Sequence, residues 1–190
     1  MKKFILFTLS AILSLSSIKA QLPDGSVAPD FTLTDLNGQS HNLYSYLDQG
    51  YTVFVDFSAV WCPPCWSYHQ SGALEDLYEN HGPAGMSGVN SNTTDDVMVF
   101  YIEADANTVA NLGGSGGNTQ GDWITGTSYP IICTDGTMNN NNVSSDYAVG
   151  YFPTIYMICP DRITTEVGQA SSPYSSCLLY TSDAADERSS

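Results

Sequence analysis

A run of β-branched and aromatic residues, Val53-Phe54-Val55-Asp56-Phe57, leads through Ser58 to Val60 into Trp61 and two cysteines three positions apart, Cys62 and Cys65. An apolar run without alternation reads as a strand buried on both faces, the character of a parallel sheet. Pro63 and Pro64 then place the start of a helix at Cys62, because a first turn has no use for the N–H groups that proline lacks. A buried strand running straight into a helix with two thiols on its first turn calls for an α/β architecture and for sulfur chemistry. Cys62 stands at the positive end of the helix dipole, which favours thiolate over thiol. Cys65 lies one turn on, close enough to attack a mixed disulfide formed at Cys62.

The pattern Val-Asp-Phe-x-Ala-x-Trp-Cys-x-Pro-Cys, here Val55 to Cys65, resembles the active-site segment of the thioredoxin superfamily. Pro-Pro between the cysteines and Ala28-Pro29-Asp30-Phe31 upstream resemble its extracytoplasmic TlpA/ResA-like, or redoxin, branch. The resemblance covers residues 24 to 168 and implies a three-layer α/β/α fold with a central mixed β-sheet and an N-terminal β-hairpin. It implies a secreted thiol:disulfide oxidoreductase with Cys62 as nucleophile and Cys65 as resolving thiol. Asp56 stands where a buried carboxylate assists proton transfer from Cys65, and an Asp within an apolar strand is costly unless its pKa rises or a partner satisfies it. A strand-end Asp bonded to backbone is the plainer reading. Phe152-Pro153-Thr154 resembles the loop that faces the dithiol, whose Pro is cis in the family. Trp61, Pro63 and Pro64 complete the expected substrate-binding surface. Many relatives carry a cation just after the second Cys, whereas this chain has Trp66, so the helix terminus is left with most of the activation.

A static disulfide or half of a zinc site is the alternative for Cys62 and Cys65. Zinc would want a second ligand pair, which neither the other cysteines nor His41, His69 and His81 provide at metal spacing. The Asp135–Asp146 loop lacks the fixed spacing of a calcium loop. No metal and no cofactor is expected. Cys133 and Cys159 each close a short apolar run, and they read equally as a structural disulfide or as buried thiols.

The two ends fall outside the expected domain. Lys2 and Lys3 precede an apolar stretch from Phe4, and Ile18-Lys19-Ala20 ends in a small residue suited to cleavage, so residues 1–20 read as a signal peptide. Export to the periplasm or the extracellular space follows, with no stable membrane insertion after cleavage. Cys177-Leu178-Leu179-Tyr180-Thr181-Ser182-Asp183 and onward resembles translated adapter sequence from library preparation, so residues 177–190 read as a non-native tail, with a genuine acidic tail as the other reading. The domain then occupies residues 21–176 and lacks its last helix, which should leave one sheet face poorly covered.

The chain holds 20 Asp and Glu against five Lys and Arg, a net charge of −15, and Arg162 is the sole Lys or Arg between residues 21 and 176. That balance argues against nucleic acid and anionic membrane partners. Protein dithiols and disulfides are the expected substrates.

In chain order, Pro29–Thr34 and Gln39–Leu43 read as a hairpin around Asn37-Gly38, Leu43–Asp48 as a short helix, and Tyr51–Phe57 as the strand before the dithiol. One helix is expected from Cys62 to Asn80, kinked at Gly72. Val97–Glu103 is a second buried strand, and Asp122-Trp123-Ile124 should anchor a Gly-rich insertion by burying its Trp. Tyr129–Cys133, Pro153–Cys159 and Arg162–Val167 are further strands, and Ser144–Val149 a brief helix.

Two other functions compete. One is a redox or binding module of a larger secreted protein whose C-terminal part is missing. The other is a thiol peroxidase, a family that places Pro seven and Thr or Ser three residues before its peroxidatic Cys. Val55 and Ala59 occupy those positions, which ranks it last.

Overall fold

The computed structural model describes residues 21–171, so the signal-peptide and tail assignments lie outside the described residues. Strands β1 (Thr32–Thr34) and β2 (Ser40–Asn42) form the expected antiparallel hairpin, Thr32 opposite Asn42. Its turn is closed by Asp35, whose Oδ1 accepts the N–H groups of Asn37 and Gln39 at 2.8 and 2.9 Å. Asn42 then caps helix α1 (Leu43–Asp48) by accepting the Ser45 N–H, and Leu43 and Leu47 turn inward.

Strand β3 (Thr52–Ser58) and strand β4 (Val97–Glu103) are buried along their whole lengths and run parallel, with Asp56 opposite Tyr101 and Ser58 opposite Glu103. Strand β5 (Ile131–Cys133) adds in parallel to β4, while β6 (Thr154–Ile158) and β7 (Thr164–Glu166) add antiparallel on the other side, giving the order β5-β4-β3-β6-β7. Alternation along the strands assigns two faces. Phe100 meets Phe31, His41 and Tyr46 at ring separations of 5.9, 5.2 and 5.7 Å, so the hairpin and α1 cover one face. Asp56, Tyr101 and Glu103 point to the other. The architecture is a mixed sheet between two helical layers, as the sequence implied. Among the described residues, no helix is long and apolar enough to cross a membrane.

The single helix expected over residues 62–80 is instead two, α2 (Pro63–His69) and α3 (Ala73–His81). Gly72 lies between them at φ +74°, a left-handed conformation that side chains disfavour and glycine does not. The apolar spacing of Ala73, Leu74, Leu77 and Tyr78 continues a helical face, but the backbone bends at Gly72 to lay α3 on the sheet.

Between β4 and β5 the chain makes helix α4 (Val109–Leu112), capped by Thr108, and then a Gly-rich loop tied back by a bridge between Gly113 and Asp122. Trp123 is fully buried, as expected, with ring centroids 4.9 Å from Trp66, 5.0 Å from His69 and 5.4 Å from Tyr101. The loop reaches α2 so closely that a Cβ on Gly121 would stand 2.6 Å from the Trp66 ring. Trp66 is stacked on His69 and meets Trp123 edge-on, so shifting it would break both ring contacts. Gly121→Ala is therefore expected to lower stability by about 1–3 kcal/mol, read as the denaturation midpoint at unchanged slope.

Helix α5 (Asn142–Asp146) begins two residues earlier than expected, and Ala148 at φ +49° ends the segment, so the predicted extension to Val149 does not form. Ile155 and Met157 of β6 are buried. Beyond β7 the chain returns to α2, where Gln169 Nε2 donates to the Pro64 carbonyl at 2.9 Å and the Tyr68 hydroxyl to the Ala170 carbonyl at 3.1 Å. Cys133 closes edge strand β5, while Cys159 follows antiparallel β6 at the opposite end of the strands, with β4 and β3 lying between. That separation is far beyond disulfide reach, so the two cysteines are not bonded to each other.

Candidate active site

The site forms where β3 runs out. Ala59 and Val60 are buried, the Cys62 N–H donates to the Ala59 carbonyl at 3.0 Å, and the chain enters α2 with prolines in its first two positions. Cys62 is the N-cap residue, and its Sγ accepts the Cys65 N–H at 3.3 Å. Cys62 and Cys65 are joined as a disulfide, with Cα atoms 5.3 Å apart. Both are buried, at 2 % and 1 % exposure, so accessibility does not separate their roles in this oxidised form. Position does: only Cys62 has its sulfur at the end of the helix, facing a backbone donor that stabilises a thiolate.

Around the disulfide the surface is apolar and partly open. Trp61 is 39 % exposed, and Pro63 and Pro64 are exposed. Register puts Thr154 opposite Phe57, which brings the Phe152-Pro153 loop beside the end of β3. The Phe152–Pro153 peptide is cis, and the Phe152 ring meets Trp61 edge-on at 6.0 Å. The Trp61 indole N–H donates to Asp105 at 2.6 Å, which fixes the ring over the site. Thr154 behaves differently from its neighbours. It is fully buried, its hydroxyl donates to the Tyr151 carbonyl at 2.8 Å and accepts from Gln21 at 2.7 Å, and it holds the loop from within.

Asp56 lies on the sheet face that α2 and Trp123 cover, at 2 % exposure. Burial pushes its carboxyl up to about 7, the charge of Glu103 pushes the same way, and a 2.6 Å hydrogen bond from the Ser58 hydroxyl opposes both. Burial and the same Asp56 charge raise the Tyr68 phenol of α2, so the helix bearing the dithiol senses this carboxylate. Arg162, by contrast, pairs with Asp48 at 2.8 Å and covers the Tyr44 ring in the β6–β7 turn, at the end of the sheet away from the dithiol. His69 stacks on Trp66 at the far end of α2, and burial lowers its pKa.

Two residues of the site escaped the sequence reading. Glu103 is buried at the end of β4 and accepts the Val60 N–H at 2.9 Å. Gln120, in the Gly-rich insertion, donates its backbone N–H to the Val60 carbonyl and its side-chain amide to the Trp61 carbonyl, both at 2.9 Å. The sole sequence signal was a carboxylate closing a strand otherwise apolar; for Gln120 there was none. A dithiol with one sulfur on a helix end, a half-open apolar rim and a buried carboxylate beneath it can pass two electrons to or from another disulfide.

Over 140 residues the chain is 27 % identical to the thiol-disulfide oxidoreductase ResA of Geobacillus thermodenitrificans, covering 74 % of this chain and 66 % of that protein. A stretch of 47 residues is 49 % identical to ResA of Geobacillus kaustophilus and covers 25 % of this chain and 26 % of that one. The chain thus spans under two-thirds of the length of each of these two relatives. The thioredoxin domain of a thiol-disulfide oxidoreductase from Bacteroides vulgatus superposes with a TM-score of 0.57 at 19 % identity, over 84 % of this chain and 98 % of that one, so the fold is the thioredoxin fold. The family match runs from Gly25, ahead of the hairpin, to Thr164, at the start of β7, and with so much of the chain inside it the protein belongs to the AhpC/TSA family.

Proposed function

We propose that this protein is an exported thiol:disulfide oxidoreductase that exchanges disulfides with protein substrates through Cys62 and Cys65. The observation that carries the reading is the Cys62–Cys65 disulfide at the start of α2, on the sheet face that holds the buried carboxyl of Asp56. The ResA relatives support the reaction class, and the Lys-then-apolar pattern of residues 1–20 supports export.

In the reducing direction the Cys62 thiolate attacks one sulfur of a substrate disulfide, forming a mixed disulfide and releasing the other substrate sulfur as a thiolate. Asp56 takes the proton of Cys65. The Cys65 thiolate attacks Cys62 Sγ, closing the Cys62–Cys65 disulfide and expelling the second substrate sulfur. The protons lost by Cys62 and Cys65 end on the two substrate thiols, and two electrons have moved. The reverse sequence oxidises a substrate dithiol, and the potentials of the two couples set the direction. A carboxyl near 7 is suited to this task, because it can both accept and return a proton at neutral pH. Trp61, Pro63, Pro64, Phe152 and Pro153 form the surface on which the substrate chain docks, while Thr154 supports it from inside. Ala59 offers Cys62 no hydroxyl and Val55 stands where the peroxidase pattern has Pro, which weighs against peroxidase chemistry.

Catalytic amounts of the protein should accelerate the reduction of insulin disulfides by dithiothreitol, seen as earlier precipitation of the freed B chain. A time course that matches dithiothreitol alone would refute the proposal.

A further inference from the structure

Val60, two residues before Cys62, has both backbone groups engaged by side chains or backbone more than forty residues away. Glu103 holds the N–H and Gln120 the carbonyl. Glu103 is the more informative of the two. It is fully buried, and it also accepts from Asn107 Nδ2 at 2.9 Å, the Tyr101 hydroxyl at 3.2 Å and the Asp105 N–H at 3.3 Å. Across the sheet it stands level with Ser58, on the strand face it shares with Asp56, and the Ser58 hydroxyl in turn binds Asp56. Two buried carboxyls therefore share one sheet face beneath the dithiol, and among the described residues no Lys or Arg lies on the elements that face them. The titratable groups that sense this layer are the phenols of Tyr101 from β4, Tyr68 from α2 and Tyr129 from the segment before β5, and the Cys133 thiol of β5, while the His69 imidazole of α2 meets the Tyr129 hydroxyl at 3.2 Å.

We infer that Glu103 is a positioning residue for thiol exchange: it fixes the turn that delivers Cys62 through the Val60 N–H, and as the second buried carboxyl it makes Asp56 titrate as one half of a pair. Each carboxyl resists ionisation while the other is charged, so a proton leaving Asp56 is felt at Glu103 and the converse. Burial raises Glu103, and its four hydrogen bonds oppose that rise. Glu103 touches neither substrate nor sulfur. It acts through Asp56 and through the turn.

The inference rests on the proposed exchange for its meaning, but its test does not need activity. The side-chain carboxyl carbon signals of Asp56 and Glu103 are followed by NMR against pH in the full oxidised chain. Wild-type protein should show two inflections in each signal, one at its own titration and one at its partner's. In Glu103→Gln, whose amide oxygen still accepts the Val60 N–H, the Asp56 midpoint should fall by about one pH unit. In Glu103→Asp, which keeps the charge, it should stay near the wild-type value while the turn loosens and reduced Cys62 alkylates faster. Single-site curves for both signals in wild-type protein, or an Asp56 midpoint unmoved in Glu103→Gln, would overturn the inference, and the wild-type curves decide it even if the variants do not fold. Insulin reduction by wild-type protein is scored separately. Its absence together with a shifted midpoint would remove the exchange proposal and leave the coupling standing.

Discussion

Cys62→Ser is expected to lower insulin reduction by about 10³-fold or more, to the rate of the added dithiol alone, because the attacking sulfur is gone and nothing nearby replaces it. Cys65→Ser should fail differently. Its Cys62 can still attack, but the mixed disulfide has no resolving thiol, so a covalent adduct with the substrate accumulates and is seen by mass on non-reducing separation. The assignment follows from Cys62 Sγ facing the Cys65 N–H at the helix start, since burial is nearly equal for the two sulfurs. Should Cys65 prove the faster alkylated thiol in the reduced protein, the two roles are exchanged.

Asp56→Asn should slow turnover by about 10²-fold near neutral pH, the usual scale for losing a positioned acid or base. Its effect on stability has the opposite sign. Folding raises the Asp56 carboxyl from its ordinary 3.8 to about 7, so the folded chain binds this proton more tightly than the unfolded chain does. The associated stability is fully present below pH 4 and is lost as the pH rises to 7, at a cost of about 4 kcal/mol above that point. Asn carries no charge and escapes that loss. Its extra N–H group needs a partner in a dry site, which takes back about 2 kcal/mol. The variant should thus be more stable than wild type by about 2 kcal/mol at pH 8 and no more stable at pH 4, measured by denaturant titration at both values. An equal difference at the two pH values would mean that ionisation of Asp56 is not its source.

What could be read from sequence was what local chemistry decides. The unbroken apolar runs of β3 and β4, the Asn37-Gly38 turn, the capped helix α1 and the Phe152–Pro153 loop carry their own signals within a few residues. The break at Gly72 was visible as a glycine but not as an end of α2, because the apolar spacing of the next nine residues hides it. The burial of Cys62, whose sulfur is bonded to Cys65, has no signal in the local sequence. Thr154 sat in the right loop with its side chain facing the wrong way for docking, which depends on strand parity that a proline at the boundary obscures. Glu103 and Gln120 lie 43 and 60 positions along the chain from Val60, and no pattern in either neighbourhood announces that contact. The shared lesson is that the reacting groups announce themselves, whereas the groups that hold them do not.

The left-handed residue at Gly72 also divides the molecule into units of cooperativity. Helix hydrogen bonding restarts at the Gly72 carbonyl, which accepts from Asp76, so α2 and α3 do not share one continuous ladder. Helix α3 is fastened to β4 and belongs with the sheet, while α2 is held by its own disulfide, by Trp123 and by the strand of chain beyond β7. Opening the disulfide can then loosen seven residues without unzipping the nine that follow. The two cysteines thus stand at the start of a seven-residue helix whose hydrogen-bond ladder is its own.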